Sequence, residues 1–274
     1  MKHESWPVLA AGLVLAAPPW CKAEEAPVRT AASEKSEEEL AKEAQNPVAD
    51  IYSFPFQDNI GLGYGPNSAV QNVLNFQPVI PIHLGPVNLI TRTIIPIVTQ
   101  PSLEAGGSGS TSGLGDINLT GFVSPKEPGD LIWGIGPVAS FPSATSPLLG
   151  SQTTWGLGPS AVLLSMPGHW VIGVLVNNVW SVAGASASNL LLQYFVNYNF
   201  SKGWYVTTAP IITADWKAPS GNQWLVPFGA GFGKLQRFGK LPINFSAQAY
   251  YNAVHPDHLP YPSWTLRLQV TVLL

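Results

Sequence analysis

Near the C-terminus, His255-Pro256-Asp257-His258 gathers the residue types that bind metals. A zinc-type site needs three or four His, Cys or carboxylate ligands. Here Pro256 stiffens the cluster and no third ligand lies close in sequence, so no metal is expected. A hydrolase would use His258 as base, Asp257 to orient it and Ser263 as nucleophile. No serine sits in a strand-to-helix elbow motif, and sequence neighbours rarely assemble such a triad. Gly106-Gly107-Ser108-Gly109-Ser110 lacks the lysine and following helix of a phosphate loop and reads as a flexible connection. Cys21 is the only cysteine, so disulfide and thiol chemistry are not expected once a leader is removed. The chain therefore reads as a non-enzyme without metal or cofactor.

A second kind of chemistry lies in polar side chains at alternate positions of apolar segments. Successive side chains of an extended strand point to opposite faces. In the last segment Trp264, Leu266, Leu268, Val270, Val272 and Leu274 interleave with Thr265, Arg267, Gln269 and Thr271. The parity of all such segments places one set on a common face: Asn75, Gln77, Arg92, Asp116, Asn118, Gln193, Asn197, Asn199, Asp215, Asn244, Gln248, Arg267 and Gln269, with Thr120, Thr207 and Ser246 beside them. These are mostly neutral hydrogen-bonding groups. Around a wet interior they would impose no strong ion preference, and Asp116 could pair with Arg267 across it.

Twelve segments carry this alternation: 58–65, 72–84, 87–99, 114–124, 131–142, 154–166, 169–182, 189–200, 204–216, 222–233, 242–253 and 263–274. No stretch after the N-terminal run offers the roughly 18 uninterrupted apolar residues of a spanning helix. A sheet of this many two-sided strands avoids free edges by closing, and a closed sheet is what β-structure requires in a bilayer. The expected fold is all-β: a closed antiparallel transmembrane barrel of twelve strands, with short periplasmic turns and longer external loops.

Connections, tryptophans and charges agree with this. Gly85-Pro86, Pro125–Asp130, Pro167-Gly168, Ser201–Gly203 and Lys234–Leu241 are short. They alternate with mostly longer connections over 100–113, 143–153, 183–188, 217–221 and 253–262. Trp133, Trp170 and Trp204 open segments from the short-turn side, whereas Trp155, Trp180, Trp216, Trp224 and Trp264 stand at the long-loop ends. Two aromatic girdles around an apolar band give this pattern. Lys126, Glu127, Asp130, Lys202, Lys234, Arg237 and Lys240 fall in the short turns, and strand interiors hold little charge. The prolines at 78, 81, 96, 137, 159, 210 and 227 fit this least well, because each removes a ladder donor. They are read as bulges or misplaced boundaries ahead of a wall that opens sideways.

Only 11% of the 274 residues are charged, 46% are hydrophobic and the net charge is −3. Soluble domains average roughly 25% charged residues, and nucleic-acid binders are basic. Lys2 and His3 precede the apolar run Trp6–Ala17, and Ala23 fits a cleavage site, so residues 1–23 read as an export signal. Residues 24–48 hold seven glutamates against Arg29, Lys35 and Lys42. Within them Ser36-Glu37-Glu38-Glu39 is a capping box opening about two helical turns, with Glu38 placed to pair with Lys42. This acidic periplasmic segment is expected to be a solvated tail rather than a plug. Residues 49–274 form the barrel.

Asn46-Pro47-Val48-Ala49-Asp50, Gly115-Asp116-Ile117-Asn118, Trp133-Gly134-Ile135-Gly136-Pro137, Trp155-Gly156-Leu157-Gly158-Pro159 and Asn197-Tyr198-Asn199-Phe200 resemble, in their order, outer-membrane "transporter" barrels. These are grouped with a protein of the meta pathway for phenol degradation. The resemblance covers residues 44–274. It implies an outer-membrane β-barrel, with transport of aromatic or other apolar compounds suggested, and supplies no catalytic or binding residues. The chain ends in Leu274 where such barrels usually end in Phe or Trp. The expected function is passive passage of small apolar or aromatic solutes across a bacterial outer membrane. The alternatives are a closed structural or ligand-binding barrel and, less favoured, a membrane hydrolase. Outer-membrane lipid and a small solute are the expected partners and nucleic acid is not; oligomeric state is not legible.

Overall fold

A computed structural model describes residues 35–257 and 260–274. One helix, α1 (Glu37–Ala44), precedes the strands. The first group is β1 (Ser53–Tyr64), β2 (Ala69–Phe76), β3 (Val79–Leu84), β4 (Val87–Pro101), β5 (Ser110–Leu114) and β6 (Ile117–Pro125). Next come β7 (Leu131–Phe141), β8 (Trp155–Ser165), β9 (Trp170–Ala183) and β10 (Ser188–Asn199). The last are β11 (Trp204–Thr208), β12 (Ile211–Asp215), β13 (Trp224–Phe238), β14 (Leu241–Val254) and β15 (Trp264–Leu273).

All pairings are antiparallel, and β1 pairs with β15 from Ser53↔Leu273 to Leu62↔Trp264, which closes the sheet. The pairs β2/β3, β5/β6 and β11/β12 are each one stave broken by a kink, so the barrel has twelve staves. Register is kept across such a break: β10 meets β11 at Val196↔Thr208 and β12 at Gln193↔Ile211. The first stave starts at Ser53, earlier than position 58, because Pro55 lies within the seam opposite Thr271 instead of ending the strand. The tenth stave runs to Phe238 rather than 233, so Lys234 and Arg237 are strand residues, not turn residues. Each manages its charge at the rim. The Lys234 ammonium lies 5.2 Å from the Trp204 ring centroid, and Arg237 donates to the carbonyl of Lys35 at 2.6 Å.

Parity sorts the side chains. Along β15, Leu266, Leu268 and Val270 are exposed on the outer face while Arg267 and Thr271 are buried inside. One lapse in the outer apolar wall is Asp58, which shares its face with the directly opposed Leu268 and accepts a 2.6 Å hydrogen bond from Asn72 Nδ2. Inside, the two halves of the barrel differ. From β3 round to β10 the inner face near the short turns is packed with Val79, Ile90, Phe122, Ile132, Leu164, Val171, Leu175 and Phe195, joined by Val48. From β13 round to β2 it is mainly polar.

Several of the irregularities fall at prolines. Pro137 and Pro159 are opposed in a continuous β7–β8 ladder. Each therefore turns its missing donor away from the other. There the flanking ladders are interrupted, between Thr120↔Val138 and Val123↔Ile135, and between Leu157↔Trp180 and Ser160↔Asn177. Pro78 lies between β2 and β3, Pro210 between β11 and β12, and Pro227 at a register shift against β14.

The segment before β1 is not a free solvated tail over its described part. Its capping box is complete: Ser36 Oγ accepts from Glu39 N–H at 3.1 Å and Glu39 Oε2 accepts from Ser36 N–H at 2.7 Å. The helix buries Leu40 and Ala41 against the inward-facing Tyr205, Leu235 and Leu273, an apolar burial that offsets the entropy of fixing so short a helix. Lys42 donates to the carbonyls of Met166 at 3.1 Å and Gly168 at 2.6 Å instead of pairing with Glu38, whose carboxylate meets His169 Nδ1 at 2.7 Å. Residues 1–23, expected to be the export signal, and 24–34 lie outside the described residues.

A Cβ on Gly136 would stand 1.8 Å from the Gly121 carbonyl oxygen, a backbone atom with no freedom to move aside. Gly136→Val is expected to destabilise the barrel by about 1–3 kcal/mol through overpacking. The measurement is the temperature at which unboiled protein loses its folded gel mobility; an unchanged temperature would contradict the close approach.

Candidate functional site: the lumen

The two-sided interior leaves a string of cavities. One, of about 250 Å³, lies towards the long-loop end among Asn59, Gln71, Val73, Thr213, Leu225, Tyr250, Tyr261 and Arg267. A second, of about 160 Å³, runs from Arg92, Gln193 and Arg267 down to Ala44–Pro47 at the foot of α1. A third, of about 230 Å³, branches off at Arg92, Gln57, Gln77 and Gln193 and is walled by Ile94, Phe122, Val138, Leu175 and Leu191. Arg267 borders the first two and Arg92 the last two.

Most residues proposed from parity reach this space. Asn75, Gln77, Arg92, Asn118, Gln193, Asn197, Asn244, Gln248, Arg267 and Gln269 line the cavities. Asn199 is buried and exchanges hydrogen bonds with Gln45 at the end of α1, at 2.9 and 3.2 Å. The two aspartates do not join the lining. Asp116 sits in the kink between β5 and β6 and accepts from the backbone of Ala144 at 3.3 Å and Ser151 at 2.7 Å. It pins the β7–β8 loop and makes no pair with Arg267. Asp215 is exposed at the long-loop rim and accepts from Lys217 N–H at 2.8 Å. In both cases nearby backbone donors in a loop outcompete a distant cation.

The Arg267 environment is the most constructed part of the lumen. Its Nε donates to Asn59 Oδ1 at 3.0 Å and its Nη1 to the carbonyl of Ala209 at 2.9 Å, and its guanidinium lies 5.0 Å from the Tyr250 ring centroid. Ala209 N–H donates to Tyr250 Oη at 3.0 Å, and Gln193 Nε2 donates to the Ala209 carbonyl at 3.3 Å. Ala209 and Pro210 form the kink of the β11–β12 stave, and its ladder to β13 stops at Thr207↔Gly231 and resumes only at Thr213↔Leu225. The backbone groups freed by the kink are thus satisfied by lumenal side chains, as buried polar groups require.

Sequence reasoning missed Tyr250, Gln57 and Asn59. Tyr250 shares the parity of Asn244, Ser246 and Gln248, yet a tyrosine carries no signal of facing a cation. Gln57 fell outside a stave begun too late. The helix foot was missed because a charged segment offers no periodic signal for where it docks.

At the short-turn end Glu39 has its carboxyl held below the usual carboxylate range, first by the Ser36 backbone N–H and then by the Ser36 hydroxyl. A depressed carboxylate contributes above its ordinary range and loses that contribution as pH falls through the lowered value. The capping box therefore supports the docked helix at neutral pH and weakens in acid.

Trp133, Trp155, Trp170, Trp180, Trp204, Trp216, Trp224 and Trp264 are all exposed, the first, third and fifth near the short turns and the rest near the long loops. No metal-binding cluster of three His, Cys or acidic residues occurs among the described residues, and His258 lies outside them. No helix among the described residues is long and apolar enough to cross a membrane.

No protein-family model matches the chain, and no curated protein matches it. Among solved structures it is similar to a COG4313 outer membrane channel from Pseudomonas putida F1, at 15% identity and a TM-score of 0.62, over 82% of this chain and 94% of that one. The P. putida toluene transporter TodX matches at 11% identity and a TM-score of 0.38, over 87% of this chain and 91% of that one. The likeness to the COG4313 channel is one of fold.

Proposed function

We propose that the chain is a bacterial outer-membrane barrel giving passive passage to small apolar or aromatic solutes, with the short turns and α1 on the periplasmic side. The observation that carries this reading is the pairing of an apolar, Trp-rimmed outer wall with cavities that follow one another from the long-loop end to the foot of α1. Lipid satisfies the first and a moving solute uses the second. The fold shared with an outer membrane channel supports it. Purified protein in planar bilayers should give discrete conductance steps; silence from correctly folded protein removes the channel reading.

A closed, ligand-holding barrel is the second reading, and the docked helix favours it. Leu40→Asp places a charge where the leucine is 6% exposed and should undock α1. If the helix obstructs passage, mean conductance rises at least about twofold in this variant, and wild-type conductance rises as the pH is lowered through the Glu39 titration. Equal conductance in the two proteins would show that α1 does not limit flow.

The proline-kinked stave suits apolar solutes, because its ladder to β13 lapses between Thr207 and Thr213, where Thr208 Oγ1 donates to the Gly229 carbonyl at 2.7 Å, and a route between lumen and bilayer would open at this weak point. Pro210→Val, which restores a ladder donor, should slow uptake of toluene into proteoliposomes while leaving ion conductance within about twofold of wild type. Unchanged toluene uptake would count against a sideways route.

A further inference from the structure

Among the described residues the lumen is lined by two guanidinium groups and no carboxylate. Among the described residues the ion pairs are Lys35–Glu43, His83–Asp50 and His169–Glu38, all outside the cavities. The acidic groups nearest in sequence to the lining are engaged elsewhere: Asp58 on the outer face with Asn72, Asp116 in its loop, Asp215 at the rim. Arg267 is 6% exposed and held by neutral partners alone, Asn59, the Ala209 carbonyl and the Tyr250 face. Arg92 has a single hydrogen bond, from Nη2 to Gln77 Oε1 at 2.6 Å. A guanidinium carries five donors in a planar fork that matches a carboxylate, so most of the Arg92 fork is left to the cavities it borders.

Two like charges border the second cavity with no counter-charge among the described residues, and they raise the potential there and where the third cavity branches from it at Arg92, which draws in an anion. The surroundings narrow the choice of anion. The third cavity, about 230 Å³, is lined by Arg92, Gln57 and Gln77 and also by Phe122, Leu175 and Leu191. This mixed lining and volume suit a small solute with one charged end and one apolar body. A bare inorganic anion would leave the apolar wall unused, and a cation would be repelled.

We propose that Arg92 and Arg267 form an anion-recognition station in the lumen, selecting small monocarboxylates with an apolar body. This rests on the passage reading and deepens it by naming a solute class, and it departs from the expectation of a lumen without strong ion preference. Arg92 makes the direct contact with the carboxylate. Arg267 adds charge and holds the Asn59, Ala209 and Tyr250 side of the passage in place.

The test is calorimetric titration of the full detergent-solubilised chain with benzoate, benzyl alcohol and benzylamine, which share a ring and differ in charge. Benzoate should bind at least about tenfold more tightly than benzyl alcohol, as expected when a charge-assisted bidentate contact is gained, and benzylamine should not bind measurably. Arg92→Gln should weaken benzoate about tenfold or more and leave benzyl alcohol unchanged; Arg92→Lys, which keeps the charge, should recover part of the loss. Lys240→Gln, in the β13–β14 turn, should change nothing. Arg267→Gln should also weaken benzoate; if it loses the folded gel mobility, the Arg92 pair decides. Equal binding of benzoate and benzyl alcohol, or an Arg92→Gln variant with wild-type benzoate affinity, overturns the proposal. Displacement of benzoate by equimolar chloride overturns the carboxylate assignment. Benzoate binding that persists in protein giving no conductance supports this site while removing the passage reading, so the two fail separately.

Discussion

The seam between β1 and β15 is the contact on which the barrel depends. It joins residues some two hundred positions apart, Ser53 with Leu273 and Asn59 with Arg267. Without it both strands would be edges with a row of unpaired backbone groups. The seam also fixes which face is which. A slip of one residue would exchange the two faces of β15, sending Arg267 outward and Leu266 and Leu268 inward. Those apolar side chains would then meet Asn59 and Tyr250, and the guanidinium would lose its partners. Closure and lumenal chemistry are therefore one constraint: the register that seals the wall is the register that sets Arg267 beside Asn59.

Closure leaves an interior too large for the side chains of one sheet to fill evenly. The chain resolves this by treating the halves differently. The β3–β10 half carries large apolar residues inward and excludes water from the lower barrel, with Ile90, Phe122, Leu164 and Val171 almost wholly buried. The opposite half keeps Asn, Gln and Thr, which need hydrogen-bond partners and so keep space for them. The helix fits between these regimes. Its apolar face meets Tyr205, Leu235 and Leu273, and its far end turns Gln45 to Asn199. The cavities survive where neither apolar packing nor the helix reaches.

The fold was legible because the outer wall imposes strict alternation. Where the wall is uniform, as in β15, parity alone assigned each side chain to its face. Boundaries failed where a residue type has two meanings. Pro55 reads as a break but sits in a seam, and Lys234 reads as a turn charge but stands at the rim against Trp204. The lumenal set was legible for the neutral amides, which have few other reasons to alternate with leucine. It failed for Asp116 and Asp215 because a carboxylate beside a loop finds backbone donors that parity does not count. Docking of the helix was not legible at all. Leu40 is one apolar residue among glutamates, and its burial depends on a surface assembled from three distant strands.

The kink at Ala209-Pro210 joins the wall to the lumen. A proline in a wall strand forfeits a donor, and the ladder beside it lapses over several residues. In a wall with no water behind it, the freed groups of Ala209 would be costly. Here they turn inward, the N–H to Tyr250 Oη and the carbonyl to Arg267 and Gln193. Arg267 thus does two things that cannot be separated by sequence position: it completes the hydrogen bonding of an imperfect wall, and it places a positive charge in the lumen. A neutral donor would do the first. A guanidinium also brings a charge into the interior with no carboxylate beside it among the described residues, a cost that a neutral donor would not carry.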